Sequence, residues 1–234
     1  MNMFNTAGVI LLAGVMGMML EAGIEAKNHL NTEDKTAATL PKDIYPDSRN
    51  RLPLPKRDDM DDYGKKVFDE LARINPGIPP TPLRLYSPQL AKPLGEAHHY
   101  LKYETGLRDR ITEIAVLVTA REMDNQYEWT QWEMHARMPG DPGFVEPAVI
   151  DIIKYRRPVT GLGEKETAII TLGREMFGQK KVSSATFAKI LRLFGRRGTV
   201  DLVELMALYS ATAAELTAFD MQLQVGQKPL LPSR

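Results

Sequence analysis

The stretch RDRITEIAVLVTAREMDNQYEWTQWEMHARMPG, residues 108–140, decides how this chain folds. From Ile111 to Val118 apolar side chains recur on every side of a 3.6-residue repeat, interrupted by Thr112 and Glu113. A helix that is apolar all round leaves no face for water, so the pattern predicts a central, buried helix. Asn125 then stands three residues ahead of Glu128. That is the spacing of a capping box, in which each side chain satisfies the other's free backbone N–H. On this reading Glu128 merely starts a second helix. The same repeat, however, puts Glu128, Gln131, Trp132 and His135 along one face. A carboxylate, an amide, an indole and an imidazole side by side are an unusual lining for a packed core. They suit a pocket that orients a flat ring and moves a proton. At this level both readings of Glu128 stand open.

Outward from this stretch the chain remains helical. SPQLAKPLGEAHHYLKYE (87–104) opens with Ser-Pro, a cap and first-turn signal. EPAVIDIIKY (146–155) and GEKETAIITLGREMFG (163–178) follow, the second ending at Gly178 as a helix C-terminus should. SSATFAKILRLFG (183–195) repeats that grammar, with a serine in front and Gly195 behind. TVDLVELMALYSATAAELTAFDMQLQVG (199–226) reads as one long helix or as two meeting near Ser210. Glu113 and Glu204 each sit alone in an apolar helix, either the trace of a duplicated hairpin or two buried helices of like composition. Nothing alternates as a strand does. The expected fold is all-α, of roughly seven or eight helices over residues 85–234.

Before residue 85 the character changes. DDMDDYGKKVFDELARI (58–74) is a short amphipathic helix with Val67, Phe68, Leu71 and Ile74 on one side. The prolines of NPGIPPTPLRLYSP (75–88) interrupt regular structure. LPKDIYPDSRNRLPLPKR (40–57) is polar and proline-bearing, so residues 27–84 read as an extended arm carrying one helix, of a kind that often wraps a neighbouring subunit. AGVILLAGVMGMML (7–20) is too short to span a membrane, which takes about 20 apolar residues. It matches the apolar core of an export signal followed by a small-x-Ala end, AGIEA (22–26). No basic residue precedes it, and Glu21 and Glu25 crowd the junction. Residues 1–26 are therefore read as a possible signal peptide, with a buried or interfacial helix as the alternative. Removal would place the protein in the periplasm or outside the cell; retention would leave it cytoplasmic.

Composition removes several function classes. Thirty basic residues balance thirty acidic ones and no single-sign run stands out, so neither a nucleic-acid nor an acidic-lipid partner is indicated. Without cysteine there are no disulfides, thiol nucleophiles or thiol redox chemistry. His98 and His99 point about 100° apart on a helix, and Glu96 with His99 is the better-spaced pair. No second ligand cluster joins them, so no metal is expected. Glycine-rich phosphate loops and nucleophile elbows are missing from the sequence. An ionised carboxylate is costly to bury, so Glu113 must be paired, hydrogen-bonded or protonated. His135 has a side chain that titrates near neutrality and can carry protons.

The segment LRDRITEIAVLVTAREMDNQYEWTQWEMHARMPG (107–140) resembles the carboxymuconolactone decarboxylase family, whose fold is shared with alkylhydroperoxidase D (AhpD-like). The likeness runs over about residues 85–175, and a Tyr-Glu-Trp helix start after an Arg- and Glu-containing apolar helix carries it. Laid on the redox branch, Glu113 matches that branch's glutamate. Asn125 and Glu128 take its two cysteine positions and Trp132 its histidine position. Peroxidase-type chemistry is therefore disfavoured. The decarboxylase branch needs no cofactor and fits better, although its histidine is also replaced by Trp132, with His135 one turn further on. The resemblance implies a homo-oligomer, trimer or hexamer, with sites near subunit contacts. It also implies a cofactor-independent lyase or isomerase acting on a small cyclic, lactone-like or aromatic-derived acid. In that reading Glu113 is the buried acid, Glu128 the base or proton shuttle and His135 an auxiliary donor. Tyr127, Gln131 and Trp132 shape the pocket. An arginine among Arg108, Arg110, Arg121 and Arg137 offsets the like charges of substrate and glutamates. The rival is a non-catalytic oligomeric binding or scaffold protein on the same fold.

Overall fold

The computed structural model describes residues 40–74 and 81–232; the possible signal peptide and residues 27–39 of the arm lie outside the described residues. Every regular element among the described residues is helical. After a 3-10 turn at Arg57–Asp59, the α-helices in chain order are α1 (Asp62–Ile74), the single turn α2 (Thr81–Arg84), α3 (Pro88–His99), α4 (Asp109–Glu122), α5 (Gln126–Ala136), α6 (Pro147–Lys154), α7 (Glu164–Gly173) and α8 (Ser184–Ala218). Two π-helical turns extend α3 and α7, over Tyr100–Glu104 and Arg174–Gln179. No helix among the described residues is long and apolar enough to cross a membrane.

Helix α4 is the axis of the domain, as its all-round apolar pattern requires. Every residue from Ile111 to Ala120 is buried, and α5, α6, α7 and α8 pack around it. Trp129 on α5, Ile150 and Ile153 on α6, Ile169 and Ile170 on α7 and Leu202, Leu205 and Met206 on α8 complete a single core without solvent exposure. Burying one such side chain contributes about 1.5–3 kcal/mol. A smaller cluster joins α1 to α3 through Val67, Leu71, Leu85 and Ala91.

Several boundaries differ from the sequence reading, each for a local reason. Gly178 is not a helix end: α7 passes into the π-turn, and the chain leaves at Lys180, which takes the left-handed conformation (φ 59°). Ser87 precedes α3 without a side-chain cap, whereas Ser183 does cap α8 by accepting from the Thr186 N–H at 3.2 Å. The terminal helix runs through Ser210 unbroken to Ala218. Glu113 is buried and Glu204 exposed, so the two do not occupy equivalent surroundings. Within the arm, the segment from Tyr45 to Pro53 packs against its own chain. Arg51 N–H donates to Phe219 O (3.0 Å), Gln222 N–H to Arg49 O (2.9 Å), and the Arg49 guanidinium to Leu223 O (2.7 Å).

The break in α8 falls at Gly195, whose φ of 68° and ψ of 178° are open in practice to glycine alone. Gly195→Ala should therefore destabilise the protein by about 1–3 kcal/mol although open space surrounds the position. Urea unfolding measures this, and an unchanged midpoint would show that the bend is not fixed by backbone strain.

Candidate functional site

Asn125 controls the geometry of the site. Helix α4 ends in a Schellman turn: Asp124 is left-handed (φ 51°), Asp124 N–H donates to Arg121 O (3.1 Å) and Asn125 N–H to Ala120 O (3.1 Å). A capping box would need that same Asn125 N–H for the Glu128 carboxylate. The bond is already committed, so only half of the box forms: Asn125 Oδ1 accepts from Glu128 N–H at 2.8 Å. Glu128 is thus not a cap, and its side chain is turned inward.

Three buried glutamates stand around α5, in three different conditions. Glu133 is fully partnered. It accepts from Trp129 Nε1 (2.5 Å), from Arg137 Nη2 (2.7 Å) and from Lys154 (3.0 Å), which marks it as structural. Glu113 forms an ion pair with Lys102, which the π-turn after α3 directs into the interior. Its second oxygen, Oε2, is buried without a partner. Glu128 has neither: it is 2% exposed, and both oxygens lack a hydrogen bond. Burial holds its carboxyl well above the ordinary range, against the smaller opposing pull of Arg84. Burial thus favours the protonated form of Glu128.

Aromatic and imidazole side chains link these groups. The Lys102 ammonium lies 4.4 Å from the Trp132 ring centre. Trp132 packs edge-on against His135 and against Tyr209 of α8. His135 Nδ1 is 3.6 Å from Glu113 Oε1, a charge contact longer than a hydrogen bond, and its Nε2 is 3.7 Å from Asp141. The Glu113 contact raises the imidazole above its usual value, against partial burial. His98 of α3 lies 3.1 Å from the Tyr209 hydroxyl. Burial, then Lys102 and Arg84, push His98 down to about 4, so it is neutral near pH 7. Burial and the nearby Glu113 and Glu128 hold the Tyr209 phenol well above its ordinary range. Arg84 is anchored by Glu215 (2.9 Å) and Thr212 (3.0 Å). His135 is 40% exposed and connects the interior to solvent. Gly143 covers Glu113 so closely that a Cβ there would stand 2.7 Å from the glutamate Cγ.

Of the residues singled out in the sequence, Glu113, Glu128, Trp132 and His135 frame this cluster. The others go elsewhere. Tyr127 is buried with Leu216 and Met221, and Gln131 donates to Gln227 at 2.9 Å. Arg121, eight residues and about 12 Å along α4 from Glu113, holds Lys154 O (2.6 Å) and Asp124. Arg110 pairs with Glu146 and Glu166, Arg137 with Glu133, and Arg108 is exposed. The cation beside Glu113 is instead Lys102, while Arg84 acts on Glu128, and His98, Tyr209 and Asp141 join them. The sequence weighed His98 only as a metal ligand, and Lys102, Tyr209 and Asp141 carry no local pattern; the π-turn, α3, α8 and the loop after α5 bring these side chains in. Among the described residues no group of three or more metal-type ligands is assembled. No protein-family profile, curated protein or solved structure matches this chain.

Two predictions follow from the buried acids. Folded protein binds the Glu128 proton more tightly than unfolded protein. Its contribution to stability is therefore complete below the ordinary carboxylate value of 4.5 and is lost as pH rises through the elevated folded value. His98 has the opposite sign, its contribution fading as pH falls from 6.5 through about 4. In urea midpoints taken upward from pH 4.5, Glu128→Gln should flatten the decline that the unmodified protein shows. Parallel curves would contradict a raised Glu128 carboxyl. Separately, Gly143→Ala should displace Glu113 and lower the titration midpoint of His135, read from its imidazole NMR shifts. An unmoved midpoint would show that the covering loop yields instead.

Proposed function

We propose that this protein is a cofactor-independent lyase or isomerase of the carboxymuconolactone decarboxylase type, built on an AhpD-like helical fold. Its substrate is a small cyclic, lactone-like or aromatic-derived acid. The observation that carries this reading is a buried carboxyl without hydrogen bonds, Glu128 on α5, together with Glu113 of the neighbouring α4, whose carboxylate is ion-paired to Lys102. Burial favours the proton on Glu128, which suits it to the donor role.

The surroundings favour Glu128 as proton donor, whereas the resemblance made Glu113 the acid; Glu113 instead holds Lys102 and His135. Loss of carbon dioxide leaves an electron pair delocalised onto the ring. Glu128 gives its proton to the ring carbon, is left as a carboxylate and regains a proton from solvent before the next turnover, while Lys102 stabilises the negative charge on the carbonyl oxygen. His135, part-exposed and in charge contact with Glu113, exchanges protons with solvent. Trp132 offers a flat wall. Lys102 beside Glu113 and Arg84 toward Glu128 supply the positive charge that an acidic substrate needs there. Assembly as a trimer or hexamer belongs to the same proposal, and exposed Phe187, Leu191 and Val200 along α8 support self-association.

Turnover of 4-carboxymuconolactone and related lactone acids tests the proposal, with carbon dioxide release and deuterium uptake into the ring as readouts. Glu128→Gln and Glu113→Gln should each lower kcat by about 100-fold or more. Full turnover by both variants would remove the glutamates from the mechanism, and silence from the unmodified protein would remove this substrate class.

A further inference from the structure

On the other side of α4 lies a second constellation that the carboxylate cluster does not use. Ile111 and Glu113 are two residues apart, about 200° around the helix, so they face opposite ways. Below Ile111 opens a cleft of about 380 Å³, within the range of small-ligand sites. Its floor is apolar, formed by Leu107, Ile111, Leu193 and Phe194. Arg108, Lys165 and Arg197 line it as well, with Asp201 as the one acid.

These charges are not equivalent. Asp201 is 7% exposed and already engaged, with Oδ1 accepting from the Tyr100 hydroxyl (3.3 Å) and Oδ2 3.6 Å from Arg197 Nε. Arg197 is further tied to the Tyr100 hydroxyl at 3.1 Å, which gives that wall a fixed shape. Among the described residues neither Arg108 nor Lys165 forms an ion pair; Lys165 rests over the Phe194 ring at 5.3 Å. Two uncompensated cations thus flank an apolar floor in a chain with no net charge. The contrast with a second concavity is instructive. That one, over α1, is lined by Arg57, Asp62, Lys65, Lys66, Asp69, Glu70 and Arg73; Arg57 pairs with Asp69 there, and every lining residue is charged.

We propose that the cleft behind α4 binds a small amphipathic carboxylate, its apolar body against Leu193 and Phe194 and its carboxylate between Arg108 and Lys165. Charge-assisted hydrogen bonds to two cations select the anion, and the floor selects an apolar body over a hydrated inorganic ion. The site is independent of the acid–base cluster and does not rest on its proposed chemistry.

Titration of the full chain with phenylacetate, followed by methyl NMR at Leu107, Ile111 and Leu193, tests this. Saturable shifts at these methyls are expected. The neutral analogue phenylacetamide should bind at least about tenfold more weakly, and the Arg108→Gln/Lys165→Gln double variant should weaken phenylacetate by about tenfold or more. Both side chains are exposed, so the variant should keep its fold, which circular dichroism checks. Absence of saturation, equal binding of the amide, or undiminished binding by the variant would each overturn the proposal. Aromatic-proton shifts confined to His135 and Trp132, recorded in the same titration, would overturn it too, placing the anion at the other site.

Discussion

One asparagine fixes the relation of the two helices on which everything else depends. The backbone N–H of Asn125 closes α4, its Oδ1 opens α5, and its amide nitrogen donates to Ala213 O (2.9 Å) and Thr217 Oγ1 (3.1 Å) on α8. Three elements therefore meet at a side chain that is 6% exposed. Because a backbone donor serves one strong acceptor, closing α4 in this way denies Glu128 its capping partner. The buried, unpartnered carboxyl follows from the demands of the turn.

The polar interior shows how differently one chemical group behaves according to its neighbours. Glu133 is surrounded by an indole N–H, a guanidinium and an ammonium, and is an anchor for α5 and α6. Glu113 shares a lysine and keeps one oxygen free. Glu128 is left with nothing, and each buried oxygen without a hydrogen bond costs about 1–3 kcal/mol. Such unrelieved polar groups concentrate where a protein does chemistry, and here two of them lie on the packed helices α4 and α5, both acting on the Tyr209 phenol of α8.

Helix α4 separates two environments. Its Glu113 side meets Lys102, Trp132 and His135, a buried and charge-compensated array reached from solvent through the imidazole. Its Ile111 side faces an open cleft with excess positive charge. Tyr100 and Lys102, two residues apart on one π-turn, serve the two sides separately, the first holding Asp201 and Arg197, the second Glu113. A regular helical turn would carry these side chains with a different offset; the π-turn is where α3 adapts to both.

The sequence by itself determined the all-α class, the buried helix around Ile111 to Val118, the cap at Asn125, the break at Gly195, and the shared face of Glu128, Gln131, Trp132 and His135. These are local properties: a 3.6-residue period, a cap spacing and a glycine's conformational range act over a few residues and need no knowledge of the rest of the chain. The tertiary structure alone decided that Asn125 N–H is spent on α4, that Gln131 and Tyr127 turn toward the C-terminal segment, and that Lys102 rather than an arginine compensates Glu113. It also brought in His98, Tyr209 and Asp141. Pairing of charges across helices depends on which turns meet in space, and a π-turn that redirects one lysine has no periodic signature, so that part of the site exists only once the helices are packed.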